Sequence, residues 1–216
     1  KPNKVGFYIT LEQEEQLRDK VFVTIDGKNA KDFDDAVLGE TDKEGNLILY
    51  VAIADVSRYV EMGTSLDHEA FDRGTSTYFS QRVIPMLPEV LSNDLCSLKP
   101  NEDRFCLVCK TKVDDEGNLS DTTFFEAVIN SKARLTYGTV FREMEKNQFK
   151  RPYEKSLNTL VKIYKRLKKN RIARSSLELE VPTYSPQIEN EKITKFIDSS
   201  RDDSHMMIEE FMLAAN

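Results

Sequence analysis

The sequence has only three cysteines, Cys96, Cys106 and Cys109, and only two histidines, His68 and His205. Three thiols are too few, and odd in number, for a disulfide framework, which favours a reducing compartment; a cytoplasmic location is expected. Cys106 and Cys109 have half of a zinc-site spacing, but no second CxxC or HxxxH pair accompanies them, and both fall in an apolar, strand-like run. Neither histidine has triad or metal-ligand spacing. No apolar run approaches the roughly 18 residues of a spanning helix, so no membrane association is expected. Internal repeats at solenoid periods and low-complexity segments are also missing. The chain opens on Lys1-Pro2-Asn3-Lys4, without an initiator methionine or a signal-like stretch, and reads as a cut from something longer.

What is present is enough for one substantial domain: 216 residues, 39% of them apolar, can bury a core without disulfides. The formal net charge of −6 would ordinarily argue against a nucleic-acid partner. The charge is unevenly spread, however. Residues 151–174 carry nine basic side chains, Arg151, Lys155, Lys162, Lys165, Arg166, Lys168, Lys169, Arg171 and Arg174, against the single acid Glu154. That is a local positive band, and a charged helix face of this kind is more often solvated than engaged with a partner.

Patterning predicts a mixture of hairpins and helices. Thr10 ahead of Leu11, Glu12 and Gln13 resembles a capping box and predicts a short helix over residues 10–19. The β-branched and aromatic run 21–25 predicts a strand that stops at Asp26. Residues 36–38, the turn 42–46 and the nearly all-apolar stretch 47–54 predict a hairpin whose second strand is buried on both faces. Residues 63–104, rich in Gly, Pro and Ser, predict loops and short helices. A second hairpin is expected over 105–113 and 119–129, joined by the turn 115–118. Thr136 is placed to cap a helix from Tyr137. Leu157, Leu160, Val161, Tyr164 and Leu167 follow helical spacing with basic residues opposite them, and a last helix should run from about Ser204 to the end. Without strict βαβ alternation, the fold class is α+β.

The candidate site is a group of aspartates. Asp26 closes the predicted strand, and Asp32, Asp34 and Asp35 lie in the loop after it. If the loop doubles back once, four acids share a small volume, an arrangement that is costly through mutual repulsion unless a cation is bound. Oxygen-only ligands select Mg²⁺ or Mn²⁺ over zinc, and two such ions could activate a water and stabilise the leaving oxygen of a phosphodiester. Taken alone, a D-x-D-D string is more often a solvated loop. A calcium-binding EF-hand is excluded, because counting from Asp32 puts Lys43 where the bidentate Glu should stand.

The run Thr24-Ile25-Asp26-Gly27-Lys28-Asn29-Ala30-Lys31-Asp32-Phe33-Asp34-Asp35-Ala36-Val37 closely resembles the signature of the ribonuclease II and ribonuclease R family, the RNB catalytic domain, with the ribonuclease R branch the nearer. The resemblance continues in family order through residues 51–57, 74–79, 82–89, 91–98, 133–137 and 208–216, and is weaker over 144–171. It implies a mixed, mostly antiparallel, barrel-like sheet flanked by helices, with this chain as the N-terminal part of a single RNB domain over 1–216. It also implies processive hydrolysis of single-stranded RNA from the 3′ end to 5′-nucleoside monophosphates, with Mg²⁺ (or Mn²⁺) as cofactor and a monomeric protein. The alternative is a truncated module that binds RNA or a partner without cleaving.

Further roles follow from the same resemblance. Asp26 and Asp35 would hold the first ion, Asp32 and Asp34 would complete the site, and Asp34 would be the residue whose loss removes cleavage but not RNA binding. Tyr78 matches the tyrosine that stacks on the 3′-terminal base. Glu209 and Glu210 match a pair that helps hold the terminal nucleotide, although on a helix either could be a solvated acid. The family usually offers a second aromatic where residues 174–179 supply only aliphatics. Its later arginine-rich segment and its flanking oligonucleotide-binding and S1-type barrels have no counterpart here, so the chain by itself is expected to be a poor nuclease.

Overall fold

The computed structural model describes residues 15–79, 82–176, 183–189, 192–198 and 201–216. Its centre is a curled seven-stranded sheet. The strands are β1 (Glu15–Leu17), β2 (Val23–Asp26), β3 (Asp35–Thr41), β4 (Leu47–Ala54), β7 (Asp103–Val113), β8 (Leu119–Asn130) and β9 (Ala133–Thr136), in the order β1-β8-β7-β4-β3-β2-β9. Pairing is antiparallel through the middle and parallel at both edges, β1 on β8 and β2 on β9. Two small hairpins stand outside this sheet, β5 (Thr77–Tyr78) with β6 (Val83–Ile84), and β10 (Tyr184–Glu189) with β11 (Lys192–Asp198).

Both long hairpins form where patterning places them, and their turns explain why. In each, the first Asp of the turn, Asp42 or Asp114, accepts backbone N–H bonds from residues two and four ahead, while Gly45 and Gly117 take positive φ. Strand β4 lies in the sheet interior and is buried along nearly its whole length, which accounts for its almost unbroken apolar sequence.

The sheet separates two cores. One face packs against α2 (Tyr137–Lys146), α3 (Glu154–Ala173) and α4 (Asp203–Ala215), with Val37, Leu49, Val51, Leu157, Leu160, Ile163 and Phe211 at its centre. On the other face Phe22, Ala36, Leu38, Tyr50, Ala52, Leu98 and Val108 pack beneath α1 (Ser65–Arg73) and the segment around a π-helical turn, Leu91–Leu95. Cys106 and Cys109 enter different cores, as strand residues three apart must, so they cannot share a zinc ion. The buried stripe of α3 is the expected one, and Thr136 caps α2. Asp202 caps α4, in a capping box with His205, and the helix starts at Asp203, one residue before the expected Ser204. Helix α3 approaches β3 closely at Gly39, whose N–H donates to Ser156 Oγ at 3.1 Å. A Cβ at Gly39 would lie 2.8 Å from the Leu160 nitrogen.

The helix expected over 10–19 needs correction. Residues 10–14 lie outside the described residues, but Glu15–Leu17 is a strand, parallel to Ala127–Ile129, with Leu17 buried. A three-residue edge strand gains a neighbour's hydrogen bonds and a buried leucine, and tertiary pairing of this kind overrides a local capping pattern. No helix among the described residues is long and apolar enough to cross a membrane.

Candidate metal centre and RNA platform

The sheet topology brings the acids together. Asp26 ends β2 and Asp35 begins β3, and these strands are neighbours, so the loop between them returns on itself at one end of the sheet. Three separate parts of the chain hold that loop. Arg134 of β9 donates from Nη2 to the carbonyls of Gly27 and Lys28, at 2.8 and 2.6 Å. Ser97 Oγ accepts from the Phe33 N–H at 3.0 Å and donates to the Lys31 carbonyl at 2.9 Å. The Leu98 N–H donates to the Phe33 carbonyl and the Ala54 N–H to the Asp34 carbonyl, both at 2.8 Å. Phe33 is buried among the residues of the second core, which turns its aspartate neighbours away from it.

The electrostatics record the crowding. Asp26 is pushed up from 3.8 to about 7, first by burial and then by Asp35, with Arg134 opposing and Asp32 and Asp34 adding to the rise. Burial and then Asp34 push Asp35 up to about 6. Asp34 is open to solvent on one side, yet the protein packed on its other side and the Asp32 charge raise it as well. Such shifts mark carboxylates whose ionised forms lack compensation.

Unsatisfied polar atoms gather at the same place. Thr24 Oγ1, Asp26 Oδ2 and Arg134 Nε are buried without a hydrogen-bond partner. Thr24 and Asp26 project to one side of β2, and Arg134 lies opposite Thr24 on β9. Buried orphans are uncommon, and a cluster of them needs a ligand, ion or water to account for it. A divalent cation fits the acidic set: it would satisfy Asp26 Oδ2 and offset the burial and mutual repulsion that raise Asp26, Asp34 and Asp35. The fit is in charge and donor type. Among the described residues no three His, Cys, Asp or Glu side chains stand closely enough to enclose an ion as they are.

Tyr78 joins the cluster directly. Its hydroxyl donates to Asp32 Oδ2 at 2.8 Å, and this bond, ahead of burial, raises the phenol above its ordinary value. The ring is 65% exposed, so a flat aromatic face meets solvent beside the acids. Glu209 and Glu210 are not gathered there. Glu209 pairs with Arg201 at 2.8 Å. Glu210 is buried and meets Arg171 of α3 at 2.7 Å, in a cavity shared with Gly117 and Asn118 of the β7–β8 turn. That turn is at the end of the sheet opposite Asp35, since Thr41 and Val113 both pair with Leu47. The residues after Ser176 where a second aromatic was sought, 177–179, lie outside the described residues.

Several contributors escaped sequence reasoning. Arg134 and Ser97 sit within quoted family blocks, but nothing in their spacing shows that they grip a loop 106 and 64 residues away. Tyr137 is raised to about 12 by burial, then by Asp26 and Asp35, and stacks on His205 with ring centroids 4.0 Å apart. His205 in turn contacts Asp202 through Nδ1 at 2.8 Å. The isolated histidine thus belongs to a helix cap that backs the site. The basic band is divided: Arg166, Lys168 and Arg171 pair with Asp115, Asp203 and Glu210, while Lys155, Lys162, Lys165 and Lys169 form the exposed stripe.

Comparison with known proteins identifies the family and the fold. The family model described as the RNB domain matches residues 14–216. Ribonuclease R of Escherichia coli (strain K12) is 47% identical over 205 residues, covering 93% of this chain and 25% of that protein. A solved structure of Mycoplasma genitalium RNase R in complex with ribose-methylated single-stranded RNA superposes with a TM-score of 0.88 at 32% identity, covering 94% of this chain and 32% of the other. The same organism's RNase R in complex with double-stranded RNA gives a TM-score of 0.89 at 32% identity, covering 94% and 37%. The chain therefore spans about a quarter to a third of the length of these relatives.

Proposed function

The chain belongs to the RNB domain family, and from that premise we propose that it is the N-terminal part of a single catalytic domain in a metal-dependent exoribonuclease that removes nucleotides from the 3′ end of single-stranded RNA. The observation that carries the proposal is Asp26, a buried carboxylate with one unpartnered oxygen, raised to about 7 beside three further aspartates. A surface loop of unrelated acids would spread apart in water. Here Arg134, Ser97, Leu98 and Ala54 hold the loop against that repulsion.

Asp26 and Asp35, fixed on neighbouring strand ends, are the residues to hold a Mg²⁺ or Mn²⁺ ion, with Asp32 and Asp34 completing the set. When bound, such an ion supplies the positive charge that activates an attacking water and stabilises the leaving oxygen of a phosphodiester. Tyr78 offers its exposed ring to the 3′-terminal base, and its bond to Asp32 fixes that platform relative to the acids. Stacking accepts any base, which suits repeated removal of nucleotides as 5′-monophosphates without sequence preference. Glu209, partly exposed on α4, is the better placed of the two glutamates to meet a nucleotide, because Glu210 is buried against Arg171.

A second reading, a module that binds RNA without cleaving it, draws support from the acids not enclosing an ion as they stand. One experiment separates the two. The full-length protein and this chain receive 3′-labelled and 5′-labelled oligo(A) with Mg²⁺, and the assay is repeated with Asp34→Asn. The nuclease reading expects stepwise shortening of the 5′-labelled strand by the full-length protein, and retained binding without shortening by the variant. Intact RNA with the full-length protein, or normal cleavage by Asp34→Asn, rejects it.

A further inference from the structure

We infer that Ser97, a residue outside the acidic cluster, is the positioning residue that sets the Asp32–Asp34 loop for cation binding. The inference rests on the reading of Asp26, Asp32, Asp34 and Asp35 as a divalent-cation site. Asp26 and Asp35 are fixed by strand pairing at the end of the sheet, but Asp32 and Asp34 belong to no strand or helix. Something else must hold them near their partners against like-charge repulsion.

Ser97 has the geometry for that task. It is fully buried, and its hydroxyl makes two bonds to the loop, one accepted from the Phe33 N–H and one donated to the Lys31 carbonyl. These two contacts flank Asp32 on either side. The adjacent Leu98 N–H binds the Phe33 carbonyl, so both backbone polar groups of Phe33, the residue between the two aspartates, are engaged by one short segment. The segment itself is held: Arg104 Nε donates to the Ser97 carbonyl at 2.9 Å, and Arg104 Nη2 to the Asp94 carbonyl at 3.2 Å. Phe33 and Leu98 are both buried in the second core, which locks loop and segment together through apolar packing. The hydroxyl therefore couples the hydrophobic core to the position of two charged side chains. Residues that orient metal ligands from outside typically change metal affinity by about 10- to 100-fold when removed.

The test compares two serines that make similar buried bonds in different places. Ser97→Ala removes a hydroxyl bound to the Phe33 N–H, and Ser156→Ala removes one bound to the Gly39 N–H, well along β3 from Asp35. Mn²⁺ alone is titrated into the chain by calorimetry, and thermal unfolding is followed in parallel with EDTA. The expected result is a Kd for Mn²⁺ raised about tenfold or more in Ser97→Ala and unchanged in Ser156→Ala, with both variants losing thermal stability. Equal Kd values in Ser97→Ala and the unaltered chain overturn the inference alone. Failure of the unaltered chain to bind Mn²⁺ overturns the metal-site reading and the inference with it. If Ser97→Ala does not fold, hydrogen exchange of the unaltered chain decides: the Phe33 amide should be protected, and Mg²⁺ should protect it further. Unprotected exchange at Phe33, or protection indifferent to Mg²⁺, overturns the inference.

Discussion

Replacing Asp26 by Asn should stabilise the metal-free protein at neutral and higher pH, although it removes a residue at the centre of the site. Asp26 titrates at about 7 in the folded chain, against an ordinary value of 3.8, chiefly because it is buried. Between those values the folded state binds the proton more tightly than the unfolded state, so stability from this group is present below about 4 and lost as pH rises through about 7. At 1.36 kcal/mol for each tenfold change in affinity, the separation corresponds to about 4 kcal/mol. The carboxyl is partly open to solvent, and screening reduces the expected effect to about 2 kcal/mol. Asparagine keeps the shape and cannot ionise. Urea unfolding in EDTA from about pH 4 to about pH 8 should show the two proteins equal at the acid end and Asp26→Asn ahead by about 2 kcal/mol at the alkaline end. Mg²⁺ should then reverse the order, because a ligand stabilises only the form that binds it. The reasoning fails if Asp26→Asn is no more stable than its parent at pH 8 in EDTA, or if the difference does not change with pH.

Other expectations concern single contacts. Tyr78→Ala should weaken binding of a short RNA 3′ end by about 1–3 kcal/mol in fluorescence anisotropy while leaving the unfolding midpoint nearly unchanged, since the ring is exposed. Glu210→Ala should cost about 1–3 kcal/mol of stability in urea titration by removing a buried charged contact to Arg171, whereas Glu209→Ala, which breaks a more exposed pair, should cost less than about 1 kcal/mol. Gly39→Ala should destabilise by about 1–3 kcal/mol, because its methyl would press on the backbone of α3 at Leu160 and Ser156. Arg134→Gln should raise Asp26 further and move the Asp26-dependent loss of stability to higher pH, which the pH series above would detect.

The limits of sequence reasoning follow the reach of each interaction. The two long hairpins are legible because an Asp–Gly turn and alternating or all-apolar strands are local signals, completed within a few residues by Asp42 and Asp114. Helix α3 is legible because its buried residues recur at the helical period. The strand at Glu15–Leu17 is not, because its identity depends on a parallel partner more than a hundred residues later. The same applies to Glu210, which shares a helix and a family block with Glu209 but is turned by α4 into the core against Arg171.

Composition, period and an ordered set of motifs are properties of the chain in one dimension, and they suffice for the α+β class, the positions of most strands and helices, and the choice of the four aspartates. Tertiary structure is what brings those acids to one end of the sheet. Only the pairing of β2 with β3 and β9 places Asp26 beside Asp35 and sets Arg134 over the loop, and only the burial of Ser97 and Phe33 in a shared core holds Asp32 and Asp34 close to them. The physical reason is that repulsion among carboxylates has to be opposed by contacts from elsewhere, and these come from residues that are distant in sequence and adjacent only after folding.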